Sequence, residues 1–273
     1  MTTILADIGG SKMRFALASE ALTPIYSDTP QQYDEGLAQI ITTAQTLLGD
    51  QRVERLIAGI PGVLTLDKRS LAYAPHLPDW DDKPLAHDLE HALGCSVVLE
   101  NDTALVGLGE AHYGAGKGSN IMMYLTISTG VNGVRIVDGK IDRSTVGFEI
   151  GGQYLPHIDN PATLQTFEEM VSGTAILKKY GVHPRELGID SPVWEDLARI
   201  TAIGVHNTIL EWSPDTVVLG GSMFNEIGIK VARVEAHLRE IMHKFPTIPR
   251  LVHSSLHDDG GLYGALVLSQ QNQ

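Results

Sequence analysis

The chain has 273 residues, 43% of them apolar, and a formal net charge of -13 at pH 7. This length exceeds the usual size of one compact domain, so we expect two lobes with a cleft between them. The acidic charge argues against a nucleic-acid partner or an anionic membrane surface, because either would be repelled. The single cysteine, Cys95, excludes an intrachain disulfide, and no apolar run approaches the roughly 18 residues of a membrane span. We therefore expect a cytoplasmic protein.

The first predicted elements form a hairpin. An apolar run at residues 4–8 is followed by GGSK at 9–12 and by an apolar-rich run at 13–18, a pattern that predicts strand, glycine turn, strand. The same plan recurs as a strand at 121–127, the turn STGVNG at 128–133 and a strand at 134–137. We therefore predict an internally duplicated chain, whose two hairpins would grip a chain of phosphates from both sides.

The remaining elements alternate between strands and helices. Further strands are predicted at 56–60, 96–99 and 216–219. Helices are predicted at 103–111, 163–180, 192–212, 225–245 and 260–269. In the third helix Ser191 is suited to cap the first turn and Pro192 to occupy it. The alternation predicts an α/β architecture.

Three motifs carry candidate chemistry. Asp7 ends the first strand and could hold a hydrated magnesium ion, while the amides of the following glycine turn receive phosphate oxygens and Lys12 offsets their charge. A plain hairpin turn is the other interpretation, and the spacing is not that of a Walker phosphate loop. Asp102 lies at a strand-to-helix junction, where it is either a helix cap or a carboxylate facing a substrate hydroxyl. Gly220 and Gly221 either admit a flat adenine or ribose, or simply begin a helix.

In this order, and over essentially the whole chain, the motifs resemble the ROK family of sugar kinases within the actin and hexokinase superfamily. Residues 7–12 and 128–133 resemble its two phosphate motifs, 219–221 its nucleoside motif and 258–265 its closing signature. The resemblance implies an α/β, two-lobed, actin-like (ribonuclease H-like) ATPase fold with a central cleft. The smaller N-terminal lobe would span residues 1–112 joined by the C-terminal helix 256–273, and the larger lobe residues 113–255.

The resemblance also implies a sugar side. Residues 61–62 and 75–80 resemble the family's sugar-side loops, residues 100–102 its catalytic trio and 149–151 the start of its Glu-x-Gly-His signature. Asp102 would be the general base. The implied sugar-binding residues are Asn101, Asp102, Glu149, Glu168 and His76. The implied residues for ATP and Mg²⁺ are Asp7, Gly9, Gly10, Ser11, Lys12, Thr129, Gly130, Gly220 and Gly221, with magnesium held near Asp7 through water.

Three residues depart from the family pattern: Ser128 replaces a glycine, His76 an asparagine and Gly152 the signature histidine. The family's zinc-binding cysteines are missing, since residues 153–167 contain no Cys. A structural zinc site needs about four Cys or His ligands, so His157 alone cannot form one and we expect no zinc. Polyphosphate-using glucokinases and mannokinases that lack the zinc loop share this feature, and YGAGK at 113–117 resembles them.

The expected function is that of an ATP-dependent, glucokinase-like carbohydrate kinase acting on a hexose or N-acetylhexosamine. The alternatives are a polyphosphate-dependent gluco/mannokinase, a non-catalytic sugar sensor of the same fold, and an ATPase that acts on protein partners. A repressor is disfavoured, because the phosphate motif begins almost at residue 1 and leaves no room for a DNA-binding module. Expected partners are a sugar and a nucleotide. Dimers are frequent among the resembling proteins, so a homodimer is possible.

Overall fold

The computed structural model describes residues 2–156 and 162–271. The strands are β1 (Thr2–Ile8), β2 (Lys12–Leu17), β3 (Ile25–Asp28), β4 (Val53–Ile60), β5 (Val63–Leu64), β6 (Leu71–Tyr73), β7 (Ser96–Asn101), β8 (Ile121–Ile127), β9 (Val131–Val137), β10 (Lys140–Ile141), β11 (Tyr154–Pro156), β12 (Leu164–Thr166), β13 (Thr216–Gly220) and β14 (Arg250–His253). The helices are α1 (Tyr33–Leu48), α2 (Leu85–Leu93), α3 (Asp102–His112), α4 (Phe167–Val171), α5 (Gly173–Tyr180), α6 (Val193–Trp212), α7 (Val231–Ile241) and α8 (Gly260–Gln271).

The chain divides into two units. The first comprises Met1–His112, Arg143–Gly147 and Asp258–Gln273, and the second Tyr113–Asp142 and Phe148–His257. Among the helices of the described ranges, none is long and apolar enough to cross a bilayer.

The first unit is built on a five-stranded sheet of order β3-β2-β1-β4-β7. β1 pairs antiparallel with β2 and parallel with β4, which in turn pairs parallel with β7. Side chains alternate across β1, so Ile4 packs with one apolar cluster and Leu5 with another on the opposite face. This burial on both faces explains the continuous apolar run at the start of the sequence.

Helices α3 and α8 pack closely in the first unit. A Cβ atom on Gly264 would lie 1.8 Å from the carbonyl oxygen of Leu105, and one on Gly109 would lie 2.4 Å from that of Gly260. Since a backbone oxygen cannot move aside as a flexible side chain can, only glycine permits this approach. The predicted closing helix is thereby confirmed and anchored to α3.

The second unit repeats the plan with a sheet of order β10-β9-β8-β13-β14. β8 is antiparallel to β9 and parallel to β13, as β1 is to β2 and β4. The predicted internal duplication is confirmed by this shared order and direction. The core of the second unit lies between its sheet and its helices, with Phe167 and Trp194 among the largest buried side chains.

The predicted helix at 163–180 is wrong as a single element. Residues 164–166 form a strand, and the helical part divides into α4 and α5 at Ser172, whose φ of -68° and ψ of 160° are extended. Thr166 and Glu169 form a capping box that begins α4, and the Ser172 hydroxyl accepts the Ala175 N–H at 3.1 Å to begin α5. Two local caps therefore replace one long helix.

Three other boundaries are corrected. The predicted helix 225–245 spans only Val231–Ile241, because the chain folds back at Gly228, where a Cβ would lie 2.3 Å from the Met223 oxygen. Ser191 makes no side-chain cap on α6; its backbone oxygen accepts the Trp194 N–H at 3.2 Å. The second glycine turn is shorter than predicted, since β9 already begins at Val131 and Gly133 pairs with Leu125 inside the sheet.

Candidate active site

The first glycine turn, between β1 and β2, has its carbonyl groups tied back to the following segment. The oxygen of Gly9 accepts from the Thr29 hydroxyl at 2.7 Å, that of Gly10 from the Gln31 amide at 2.9 Å, and that of Ser11 from the Thr29 N–H at 3.0 Å. In a trans peptide the N–H points opposite to the C=O of the same unit. The N–H groups of Gly10, Ser11 and Lys12 therefore face away from residues 29–31, as an anion-binding turn requires.

Two side chains flank this turn. His76 lies against it, since a Cβ on Gly10 would come within 2.8 Å of the His76 Cβ. Lys12, predicted to offset phosphate charge, forms an exposed ion pair with Asp28, its partner in the β2–β3 register. Its charge is therefore already offset within the first unit.

Asp7 is a buried carboxylate held by Arg14. The two are direct partners in the β1–β2 register, and Arg14 Nη1 donates to Asp7 Oδ2 at 3.2 Å. Arg14 Nη2 lies 3.7 Å from Asp258 Oδ1. Burial, and then the charge of Asp102, raise the pKa of Asp7 to about 7, although Arg14 opposes the shift. Asp7 therefore lies near two further carboxylates, Asp102 and Asp258, and the cation Arg14.

Asp7 and Asp102 are brought together by parallel strand pairing. Asp7 is near the end of β1, Gly59 is its β4 partner, and Asp102 directly follows β7. A Cβ on Gly59 would lie 3.7 Å from Asp7 Oδ1 and 3.3 Å from the Asp102 Cα, so this glycine sits between the two acids. The carboxyl ends of parallel strands meet at one sheet edge, where ligands gather in α/β proteins.

Asn101, rather than Asp102, caps helix α3. Its Oδ1 accepts the Ala104 N–H at 3.0 Å, and its Nδ2 donates to the Gly62 oxygen at 3.0 Å. Both ends of this amide thus engage the protein. The interpretation of Asp102 as the helix cap is therefore wrong, because the neighbouring residue fills that role.

Asp102 is a partly buried carboxylate with one oxygen fixed. Its Oδ1 accepts the Thr103 N–H at 2.6 Å, and within the described ranges no other residue donates a hydrogen bond to Oδ2. Burial raises the pKa of Asp102, while the hydrogen bonds from Thr103 and the nearby His76 lower it. The result is a carboxylate that is oriented, more basic than usual and open on one oxygen.

Glu168 contacts the second glycine turn. Its Oε2 accepts the Val131 N–H at 2.8 Å, and a Cβ on Gly130 would lie 2.7 Å from the same oxygen. On the other side of the turn, the Thr174 hydroxyl donates to the Thr129 oxygen at 2.8 Å. The turn that resembles a phosphate motif is thus held between α4 and α5.

Glu149 precedes a short 3₁₀ turn at Ile150–Gly152, and Gly152 is its last residue. The Asn132 amide lies 3.5 Å from Glu149 Oε1. A Cβ on Gly152 would meet nothing within 4 Å, so the position of the family's histidine opens into free space. No group of three or more His, Cys, Asp or Glu residues suited to a metal is found in the part of the chain described, and His157 lies outside it.

Gly220, the last residue of β13, and Gly221, which follows it, are required by their surroundings. Gly221 has a φ of 92°, and a Cβ there would lie 2.3 Å from the Ile127 oxygen. A Cβ on Gly220 would lie 2.7 Å from the Tyr124 hydroxyl. Ser222, which follows Gly221, has its hydroxyl 3.0 Å from that of Ser128, so this turn is joined to the second glycine turn.

A cavity of about 140 Å³ in the second unit adjoins these two turns. Its apolar walls include Leu177, Met223 and Ile227, and Thr129 and His183 add polar groups. Sequence reasoning missed the wall residues, because they come from separate segments with no shared motif. It also missed Arg14, although a hairpin centred on residues 10 and 11 places 14 opposite 7.

Two sheets of the same order, each opening on a glycine hairpin, define an α/β protein of the actin-like ATPase class. The model of the ROK family matches residues 3–272, and the chain therefore belongs to the ROK family.

Similar proteins of known class support this family assignment. The chain is 27% identical over 303 residues to a glucokinase of Thermotoga maritima, covering 95% of this chain and 94% of that protein. It is 28% identical over 301 residues to an N-acetyl-D-glucosamine kinase of Haemophilus influenzae, covering 96% and 97%. The crystal structure of a ROK hexokinase from Thermus thermophilus superposes with a TM-score of 0.85 at 25% identity, covering 100% of both chains. The predicted fold and the predicted class, a ROK family sugar kinase, are confirmed.

Proposed function

We propose that this chain transfers the terminal phosphoryl group of ATP to a hydroxyl of a hexose or N-acetylhexosamine, with Asp102 as the general base. The acceptor class is that of the glucokinase and N-acetylglucosamine kinase relatives. The observation that carries the proposal is the state of Asp102: Oδ1 is fixed by Thr103, Oδ2 is open, and its pKa is raised. We also propose a cytoplasmic location, which the use of ATP would support.

In this proposal Oδ2 of Asp102 accepts a hydrogen bond from the acceptor hydroxyl and takes its proton as the phosphoryl group is transferred. A raised pKa makes the carboxylate a better proton acceptor. General-base assistance is typically worth about 10² to 10⁴ in rate. Because the transition state of phosphoryl transfer is largely loose, positioning and charge neutralisation supply much of the remainder.

The phosphate groups are assigned to the two glycine turns. The outward N–H groups after Gly9 support phosphate binding by the first turn, and the turn at Thr129 and Gly130 supplies the second. Magnesium, when bound, neutralises phosphate charge, and Asp7 is the carboxylate we assign to it, through water. Ser11 and Lys12 remain candidates for phosphate contact, Lys12 after release from Asp28.

ATP is favoured over polyphosphate by the cavity beside the second turn. Polyphosphate has no apolar part, whereas an adenine base fits apolar walls such as Leu177, Met223 and Ile227. Gly220 and Gly221 allow the backbone to lie close to the nucleoside. Comparing ATP with polyphosphate at fixed sugar tests this choice, and equal or greater turnover with polyphosphate would overturn it.

The sugar contacts are assigned to side chains with an acceptor or donor to spare. Asp102 offers Oδ2, and Glu168 offers Oε1 because its Oε2 is on Val131. Asn101 has a second amide hydrogen besides the one on Gly62. Glu149 and His76 complete the proposed set on the strength of the resemblance to the family's sugar-side motifs.

The decisive experiment is a coupled assay of the wild type and Asp102→Asn across a panel of hexoses and N-acetylhexosamines with ATP and magnesium. The variant should fold, bind ligands nearly normally and lose about 10² or more in turnover. Asp196→Asn, an exposed aspartate on α6, is the matched control and should keep full activity. Near-wild-type turnover by Asp102→Asn would exclude it as the base. Sugar binding without turnover in the wild type would indicate a sensor, and sugar-independent hydrolysis an ATPase.

A further inference from the structure

The β5–β6 hairpin has an ordered tip at residues 65–70. The Thr65 N–H donates to the Ser70 oxygen at 3.0 Å, and the Thr65 hydroxyl donates to Asp67 Oδ1 at 2.6 Å. The same carboxylate accepts the Arg69 N–H at 3.1 Å. The Arg69 guanidinium in turn forms a bidentate ion pair with Glu90 on α2. The tip is therefore fixed both by its own hydrogen bonds and by its attachment to α2.

At the tip, Lys68 has a φ of 54°, in the left-handed region that favours glycine. A lysine in this conformation is strained, and such strain persists only where the surroundings determine the backbone. From this position the Lys68 side chain reaches Glu100 on β7.

The Lys68 ammonium contacts the residue that precedes the proposed sugar and catalytic pair. Its Nζ lies 2.5 Å from Oε2 of Glu100, whose side chain is only 12% exposed. The other oxygen, Oε1, accepts the N–H of Asn101 at 3.0 Å. Both oxygens of this largely buried carboxylate are thus engaged, one by a cation and one by the backbone of Asn101.

The same hairpin is tied to Asn101 at its base, since Asn101 Nδ2 donates to the oxygen of Gly62. The two attachments hold residues 100 and 101 from opposite ends of the hairpin. The conformation of Asn101 sets the start of α3 and hence the direction of the Asp102 carboxylate.

We infer that Lys68 is a positioning residue for the sugar side of the reaction: it neutralises Glu100 and thereby fixes Asn101 and Asp102 for the acceptor hydroxyl. This inference rests on the proposed function. It assigns Lys68 no contact with the nucleotide. Loss of the ammonium should therefore act on the sugar and leave the donor unaffected.

Three variants separate this role from a purely structural one. Lys68→Gly removes the ammonium and relieves the left-handed backbone, Lys68→Met removes the ammonium alone, and Lys68→Arg keeps a cation. We expect Lys68→Gly and Lys68→Met to raise the KM for the sugar about threefold to tenfold, with the KM for ATP unchanged. Lys68→Arg should have a sugar KM close to that of the wild type. The melting temperature of Lys68→Gly should be unchanged or higher.

Asp138→Gly is the matched control, because Asp138 has a φ of 50° in the β9–β10 turn, away from Glu100 in the chain. It makes the same backbone change and should leave both KM values as in the wild type. Glu100→Gln should raise the sugar KM as Lys68→Met does, and the double variant should be no worse than either single variant.

The outcomes distinguish the two proposals. If the wild type phosphorylates no sugar, the proposed function fails, and the inference fails with it. If the wild type is active and Lys68→Gly and Lys68→Met keep its sugar KM, only the role of Lys68 is overturned. Equal increases in the KM for the sugar and the KM for ATP, together with a lower melting temperature in both variants, would also overturn it, because they indicate a structural role.

Discussion

Oε2 of Glu168 lies 2.8 Å from the N–H of Val131 and occupies the space that a Cβ on Gly130 would need. One carboxylate oxygen therefore fixes the second glycine turn from α4. The turn cannot accept a larger residue at position 130 without displacing Glu168.

Gly130→Ala should lower kcat/KM for ATP by about tenfold, because the new methyl group forces Glu168 off the turn and loosens the phosphate-facing backbone. Steady-state kinetics with varied ATP at saturating sugar measure it. Gly152→Ala is the control, since a Cβ there meets nothing within 4 Å. Equal kinetics for the two variants would show that Glu168 does not position the turn.

The pH profile of the reaction should report Asp102. A general base must be ionised, so kcat/KM for the sugar falls as pH drops through its pKa and is constant above it. Since burial raises the pKa of Asp102 above its ordinary 3.8, this acid limb lies at higher pH than for a free aspartate. The limb should be absent from the residual activity of Asp102→Asn. A limb that persists in that variant would assign it to another group.

Arg14→Met should destabilise the protein by about 1.4 kcal/mol at pH 8, because the buried Asp7 loses the cation beside its carboxylate and must take up a proton to stay buried. The loss should be smaller at pH 6, below the Asp7 pKa of about 7, where the carboxyl group is largely protonated. Urea denaturation at both pH values measures it.

Asp7→Asn combined with Arg14→Met should recover much of that loss, since no charge is then left unpaired. Lys12→Met, which removes an exposed ion pair, should change stability by less than about 0.5 kcal/mol. A pH-independent loss for Arg14→Met would contradict the assigned partner.

Gly264→Ala should lower the stability of the first unit by about 3 kcal/mol, because its Cβ would lie 1.8 Å from the Leu105 oxygen and α8 would have to move from α3. Thermal denaturation measures the effect. Gly181→Ala is unsuitable as a control, because the φ of 72° at that position would add backbone strain to any effect of packing. Gly188→Ala is the better control, since nothing lies within 4 Å of its Cβ and no positive φ applies. Equal melting temperatures for the Gly264 and Gly188 variants would contradict the packing argument.

The duplicated hairpins could be predicted from the sequence alone, because a glycine turn between two apolar runs is a local pattern. It could not decide between Asn101 and Asp102 as the cap of α3, since both residue types cap helices and the roles differ by one position. It missed the break at Ser172 because the segments on either side, 167–171 and 174–180, both have helical patterns. The caps at Thr166 and Ser172, with the weak helix former Gly173, divide them.

Other features depend on tertiary structure. Leu177, His183 and Met223 line one cavity but belong to different segments, so no local spacing brings them together. The proximity of Asp7 and Asp102 requires the strand order β1-β4-β7, which places Gly59 between them. The division into lobes and the roles of the site residues remain predictions.

The packing of α8 against α3 and β1 also bears on how the protein is made. Leu5 of β1 belongs to a core that includes Leu262 and Leu266 of α8, which is synthesised much later. Most of the second unit comes from one continuous stretch of chain, so it can complete its core while α8 is still unsynthesised. The first unit, which contains β1, therefore cannot complete this core until α8 has been synthesised.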